Sequence, residues 1–67
     1  MQLFYSTKVN GNIIELEEEE TRHLRVLRKN LGDQLEIVDG KGKRYTATLT
    51  ALHKKASLLS IQSTITS

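Results

Sequence analysis

Sixty-seven residues allow one domain at most, and the hydrophobic 37% is enough for a single small core. A chain this short buries only about 60% of its unfolded surface, and with no cysteine it has neither a disulfide framework nor a thiolate metal site to reinforce it. The opening MQLFYSTKVNGNIIEL lacks the basic flank and long apolar stretch of a signal peptide, and no run approaches the roughly 20 apolar residues of a membrane span. A soluble, cytoplasmic, single-domain protein is expected.

The net charge of +2 hides an uneven distribution. Five of the eight acids are Glu15, Glu17, Glu18, Glu19 and Glu20; elsewhere ten Lys or Arg face only Asp33, Glu36 and Asp39. A locally positive surface that attracts polyanions is one consequence, and a merely solvated exterior is the other.

In chain order, QLFYS (2–6) is short, aromatic and β-prone, and is predicted as a first strand. VNGN (9–12) reads as a turn, because Asn-Gly tolerates positive φ angles, and IIEL (13–16) as the returning strand. A helix is predicted from about Glu17 to Lys29. Acids crowd its start and bases its end, complementing the helix dipole, and Glu18 stands four residues before Arg22 for an ion pair. At about 100° per residue, Leu24, Leu27 and the following Leu31 share one face. Arg22, Arg25 and Lys29 fall on roughly the opposite side, with Arg28 at the seam. Asn30 and Gly32 are placed to stop the helix.

QLEIVD (34–39) alternates, directing Leu35 and Ile37 to one face; DGKGK (39–43) is a glycine-bearing hairpin loop. RYTATLTAL (44–52) turns Tyr45, Ala47, Leu49 and Ala51 inward and its threonines outward. HKKA (53–56) is a turn, and SLLSIQSTI (57–65) a last strand carrying Leu59, Ile61 and Ile65. Short strands that are apolar on one side must bury that side, and curling reduces their exposed edges. The expected fold is mostly β with one helix, a small antiparallel barrel plugged by Leu24 and Leu27.

No constellation for catalysis emerges. Successive helical glutamates point apart, whereas a hard metal ion needs convergent oxygens. His23 sits at the edge of the apolar face as a partly buried structural histidine, and His53 lies in a solvated turn. DGKGK lacks the G-x-x-x-x-G-K-[ST] spacing of a phosphate-cradling loop, although Lys41, Lys43 and Arg44 project charge from its tip. The helix bases are more suggestive, because arginine offers a planar donor fork suited to phosphate. With Phe4 and Tyr45 assigned to the core, base stacking has little support, so any nucleic-acid contact would be to backbone and shape. From the residues alone, binding and an ordinary solvated surface both stand.

The run HLRVLRKNLGDQLEIVDGKG (23–42), followed by YTATL (45–49), resembles the start of the 16S ribosomal RNA uridine N3-methyltransferases. The matching features are Phe4 and Tyr5, His23-Leu24, Val26-Leu27-Arg28, Gly32-Asp33, Asp39-Gly40-Lys41-Gly42 and Tyr45. The resemblance implies a PUA-like RNA-binding barrel over residues 1–67, the catalytic domain of the parent enzyme being absent. It further implies 16S small-subunit ribosomal RNA as partner, a C-terminal methyltransferase domain of the same parent, and a homodimeric parent. S-adenosylmethionine is expected in that missing domain, and no cofactor in this chain. Arg22, Arg25, Arg28 and Lys29 on the helix, with Lys41, Lys43 and Arg44 on the loop, would clamp phosphates. The alternative is a structural barrel that packs on a catalytic domain or partner without touching RNA.

Overall fold

Alternating apolar side chains produce six strands, and the acid-to-base run between them produces one helix. The computed structural model of the chain describes residues 3–66. The order is β1 (Leu3–Tyr5), β2 (Lys8–Asn10), β3 (Ile13–Leu16), α1 (Glu18–Val26), β4 (Gln34–Val38), β5 (Lys43–Leu52) and β6 (Ser57–Thr66). All strands join one sheet in the order β1-β4-β5-β6-β3-β2. Every pairing is antiparallel except β1 with β4, so the mostly β, PUA-like barrel with one helix is what forms.

The hairpin at the start differs from expectation. Its turn is only Gly11-Asn12, with Gly11 at φ +62° and Asn10 opposite Ile13. A positive φ at the first central residue alone is the requirement of a type II′ turn, which glycine meets without strain. Val9 and Asn10 therefore belong to a strand, and β3 pairs with β2 instead of the first strand. Leu3–Tyr5 lies beside β4 in parallel, Leu3 opposite Glu36 and Tyr5 opposite Val38. Gln2, counted in the predicted first strand, lies outside the described residues.

β1 and β2 stand at opposite ends of the sheet order yet are joined by only Ser6 and Thr7, so the sheet must curl. Ser6 spans the seam. Its N–H donates to the Val38 carbonyl of β4 at 3.1 Å, and its Oγ donates to the Glu15 carbonyl of β3 at 2.6 Å. A buried serine thus satisfies backbone groups on both sides of the gap.

The interior holds Phe4, Ile14, Leu16, Leu24, Leu35, Ile37, Tyr45, Ala47, Leu49 and Leu59. The inward alternation predicted for β4 and for Tyr45, Ala47 and Leu49 holds. Ile65 does not follow its strand, being 58% exposed. Ala47 pairs with Ile61 but Thr46 with Ser63, so Gln62 is an extra residue in β6. A bulge reverses which residues face inward, and beyond it Ile65 stands opposite exposed Arg44.

The helix is shorter than predicted. Its ordinary turns end at Val26; Arg28 N–H donates to the Arg25 carbonyl and Lys29 N–H to the Leu24 carbonyl, both at 3.0 Å. These two bonds form a Schellman ending, whose left-handed residue is Arg28 at φ +59°, not Asn30 or Gly32. Leu24 is fully buried and Leu27 packs on the core, but Leu31 is 62% exposed. Helical periodicity no longer applies at Leu31, so it does not join them. His23 is more exposed than expected, although its ring lies against Phe4 with centroids 5.4 Å apart.

Candidate functional site

The seven bases predicted to contact phosphate fall into two groups. Arg22 and Arg25 lie on α1 and Arg28 and Lys29 in its C-terminal ending, whereas Lys41, Lys43 and Arg44 lie in or beside the β4–β5 loop. The β4–β5 loop and the β5–β6 turn lie at opposite ends of the ten-residue strand β5. Arg25 is attached at the far end: its Nη2 donates to the His53 carbonyl. The helix bases and the loop bases are thus carried by different elements, as their positions in the sequence imply.

Local chemistry differs among the seven. Arg22 pairs with Glu18 at 3.9 Å, as the four-residue spacing predicts, and Arg44 with Glu36 at 3.8 Å. Both pairs are solvated and contribute little to stability. Arg28 is exposed, while Lys29 is half-buried as the chain folds back through the Schellman ending. Exposed Lys41 and Lys43 surround Asp39, whose Oδ1 accepts the Lys41 N–H at 2.7 Å and the Lys43 N–H at 3.1 Å. The Lys41 N–H is the chief reason that the Asp39 carboxyl titrates below its ordinary 3.8, against the opposing pull of burial.

Only three of the ten cations form ion pairs among the described residues: Lys8 with Glu17, Arg22 with Glu18, and Arg44 with Glu36. Arg25, Arg28, Lys29, Lys41, Lys43, Lys54 and Lys55 have no carboxylate within 4.0 Å among those residues. Lys54 and Lys55 were not among the predicted contacts. Their only sequence signal is the HKK run in a turn, which does not reveal that the helix lies beside it.

A groove of about 360 Å³ runs between residues 5–8 and 17–20. Four glutamates line it, so its field opposes a polyanion despite its size. Glu17 holds Lys8 at 3.7 Å, and Glu20 accepts the Tyr5 N–H at 3.3 Å. The helix thus turns its acidic beginning to the β1–β2 link and Arg25 to the β5–β6 turn. Among the described residues, no three His, Asp or Glu side chains converge to hold a metal ion, and no helix is long and apolar enough to cross a membrane.

Residues 16–62 match the family model described as the RNA methyltransferase PUA domain. Solved structures agree. A predicted RNA methyltransferase from Thermotoga maritima is 36% identical with a TM-score of 0.90, over 96% of this chain and 30% of that one. Ribosomal RNA small subunit methyltransferase E from Neisseria gonorrhoeae, bound to S-adenosyl methionine, is 33% identical with a TM-score of 0.83; all of this chain matches 29% of that one. A probable rRNA-methyltransferase from Porphyromonas gingivalis is 28% identical with a TM-score of 0.85, over 100% of this chain and 28% of that one. The chain spans under a third of the length of these relatives. Comparison with curated protein sequences gives no match.

Proposed function

The chain belongs to the RNA methyltransferase PUA domain family, and on that premise we propose that it is the RNA-holding barrel of a longer, S-adenosylmethionine-dependent 16S ribosomal RNA uridine N3-methyltransferase. The methyltransferase domain, its cofactor and a homodimeric assembly belong to that parent, working in the cytoplasm on the small-subunit RNA. This barrel contributes the grip and no catalytic residue.

The observation that carries the reading is the set of seven cations left without carboxylate partners among the described residues. Phosphate contacts from such side chains position an RNA without reading its sequence. Arg25 and Arg28 are the leading contacts, with Arg22 and Lys29 beside them and Lys41, Lys43 and Arg44 on the loop. Each phosphate neutralised releases roughly 0.7 to 0.9 counterions, so affinity should fall steeply with salt. Fluorescence anisotropy with a labelled small-subunit RNA fragment, titrated at several salt concentrations, is the test. Salt-sensitive binding that collapses in the Arg25→Glu, Arg28→Glu double variant is expected; affinity unchanged by that variant would overturn the assignment.

A second reading rests on apolar exposure: Val26 is 72% and Leu31 62% exposed on either side of the helix ending. These side chains could instead pack a structural barrel on a catalytic domain or partner. That reading expects RNA affinity indifferent to both salt and the arginine substitutions.

A further inference from the structure

We propose that the Lys54-Lys55 turn is a phosphate-contacting part of the RNA surface, and that Arg25 is the positioning residue that fixes this turn against α1. The inference rests on the RNA-binding reading and adds residues and a division of labour to it.

The turn is braced on both sides. His53 N–H donates to the Ala56 carbonyl at 2.8 Å, closing the connection around the two lysines. Before them, the His53 carbonyl accepts from Arg25 Nη2. After them, the Ser57 hydroxyl shares a buried hydrogen bond of 3.0 Å with Thr21 Oγ1. Thr21 in turn donates to the Leu16 carbonyl at 3.3 Å, so its proton is committed and Ser57 supplies the other. Thr21 and Arg25 stand four residues apart and share a helix face. One face of α1 therefore grips His53 and Ser57, the residues that flank the Lys54-Lys55-Ala56 segment.

This bracing leaves both lysines exposed and without carboxylate partners among the described residues. Three of the four acids at the helix start are engaged elsewhere, Glu17 with Lys8, Glu18 with Arg22 and Glu20 with the Tyr5 N–H. Arg25 spends one donor on a neutral carbonyl, so its positive charge stays uncancelled beside two more. A concentration of like charge on a rigid support is relieved by a polyanion, and rigid support lowers the ordering cost of binding. HKKA offers no aromatic platform, and lysine is a compact point charge on a flexible stem. Phosphate, not base, is what such a turn can recognise.

The experiment uses the 67-residue chain and the same labelled small-subunit RNA fragment. Lys54→Ala with Lys55→Ala should weaken binding by about tenfold or more and flatten the slope of log affinity against log salt by about 2. Its melting temperature should not change, because both side chains are exposed and make no hydrogen bond or ion pair among the described residues. Arg25→Ala should weaken binding more in the native background than once both lysines are alanine; the residual loss reports its own phosphate contact and the excess reports its positioning of the turn, the non-additivity of groups acting through one another. If the chain binds RNA and the double-lysine variant keeps full affinity and slope, the turn is not a contact and the inference falls while RNA binding stands. Additive effects of the arginine and lysine changes would refute the positioning role. Absence of salt-dependent binding by the native chain would refute the RNA reading itself.

Discussion

The two connections at the ends of β5 contain similar lysines on different supports. The β4–β5 loop is wired from within: Asp39 accepts two of its backbone N–H groups, and Gly40 at φ +74° passes so close to Tyr5 that an added Cβ would meet that ring at 3.0 Å. It carries its own counter-charge, and Arg44 next to it is matched by Glu36. The β5–β6 turn has no acid and is held from outside, by Arg25 and Thr21 of α1. Asp39 holds the backbone of its loop but leaves the Lys41 and Lys43 side chains without a carboxylate partner among the described residues. The β5–β6 turn instead has its cations beside Arg25, with no acid of its own. Identical residue types therefore do not imply identical surroundings.

Breaking the helix anchor should have the largest effect. Leu24→Ala empties a fully buried site and is expected to cost about 2–5 kcal/mol by denaturant titration. Amide exchange should accelerate at residues 53–57 before it does at residues 39–43; the opposite order would mean that the turn does not depend on the helix. Next comes Thr21→Val, which leaves the buried Ser57 hydroxyl without its acceptor at about 1–3 kcal/mol. Adding Ser57→Ala should recover part of that loss, and strictly additive losses would show that the two hydroxyls are not coupled.

Arg28→Gly should act smaller still and in the other direction. It removes a side chain from the left-handed backbone at φ +59°, a strain of about 1 kcal/mol that the added freedom of the unfolded chain partly offsets. Stability should hold or rise slightly in thermal melts while RNA affinity falls; a fall in both would make Arg28 a structural residue. The smallest effect is expected from Asp39→Asn, which keeps an acceptor oxygen and loses only charge. Because the folded state lowers this carboxyl below 3.8, its contribution is present above that value and disappears as pH falls through the folded pKa. The difference in melting temperature between the native chain and the Asp39→Asn variant should therefore vanish in acid, and a difference persisting there would assign it to packing.

The core could be read from the sequence because alternation is local. Leu35 and Ile37, then Tyr45, Ala47 and Leu49, face inward as their spacing requires, and the Glu18–Arg22 pair follows from helix geometry. Errors arise where one residue changes the count. The extra Gln62 in β6 turns Ile65 outward, and the left-handed Arg28 ends the periodicity that would have buried Leu31. The parallel partner of β1 was illegible for another reason: pairing across more than thirty residues is decided by closure of the sheet at Ser6, not by any local pattern.

By itself, the sequence determined the strand-rich class, the single helix, most of the core and the stock of bases. Family resemblance supplied the RNA methyltransferase context. Tertiary structure decided how those bases are divided. It set the β4–β5 loop apart with its own aspartate, and brought Arg25, twenty-eight residues away in sequence, to the His53 carbonyl. Charge is written residue by residue, but a surface is made by neighbours in space. Only the curling of the sheet and the seating of α1 on its end determine which cations stand together.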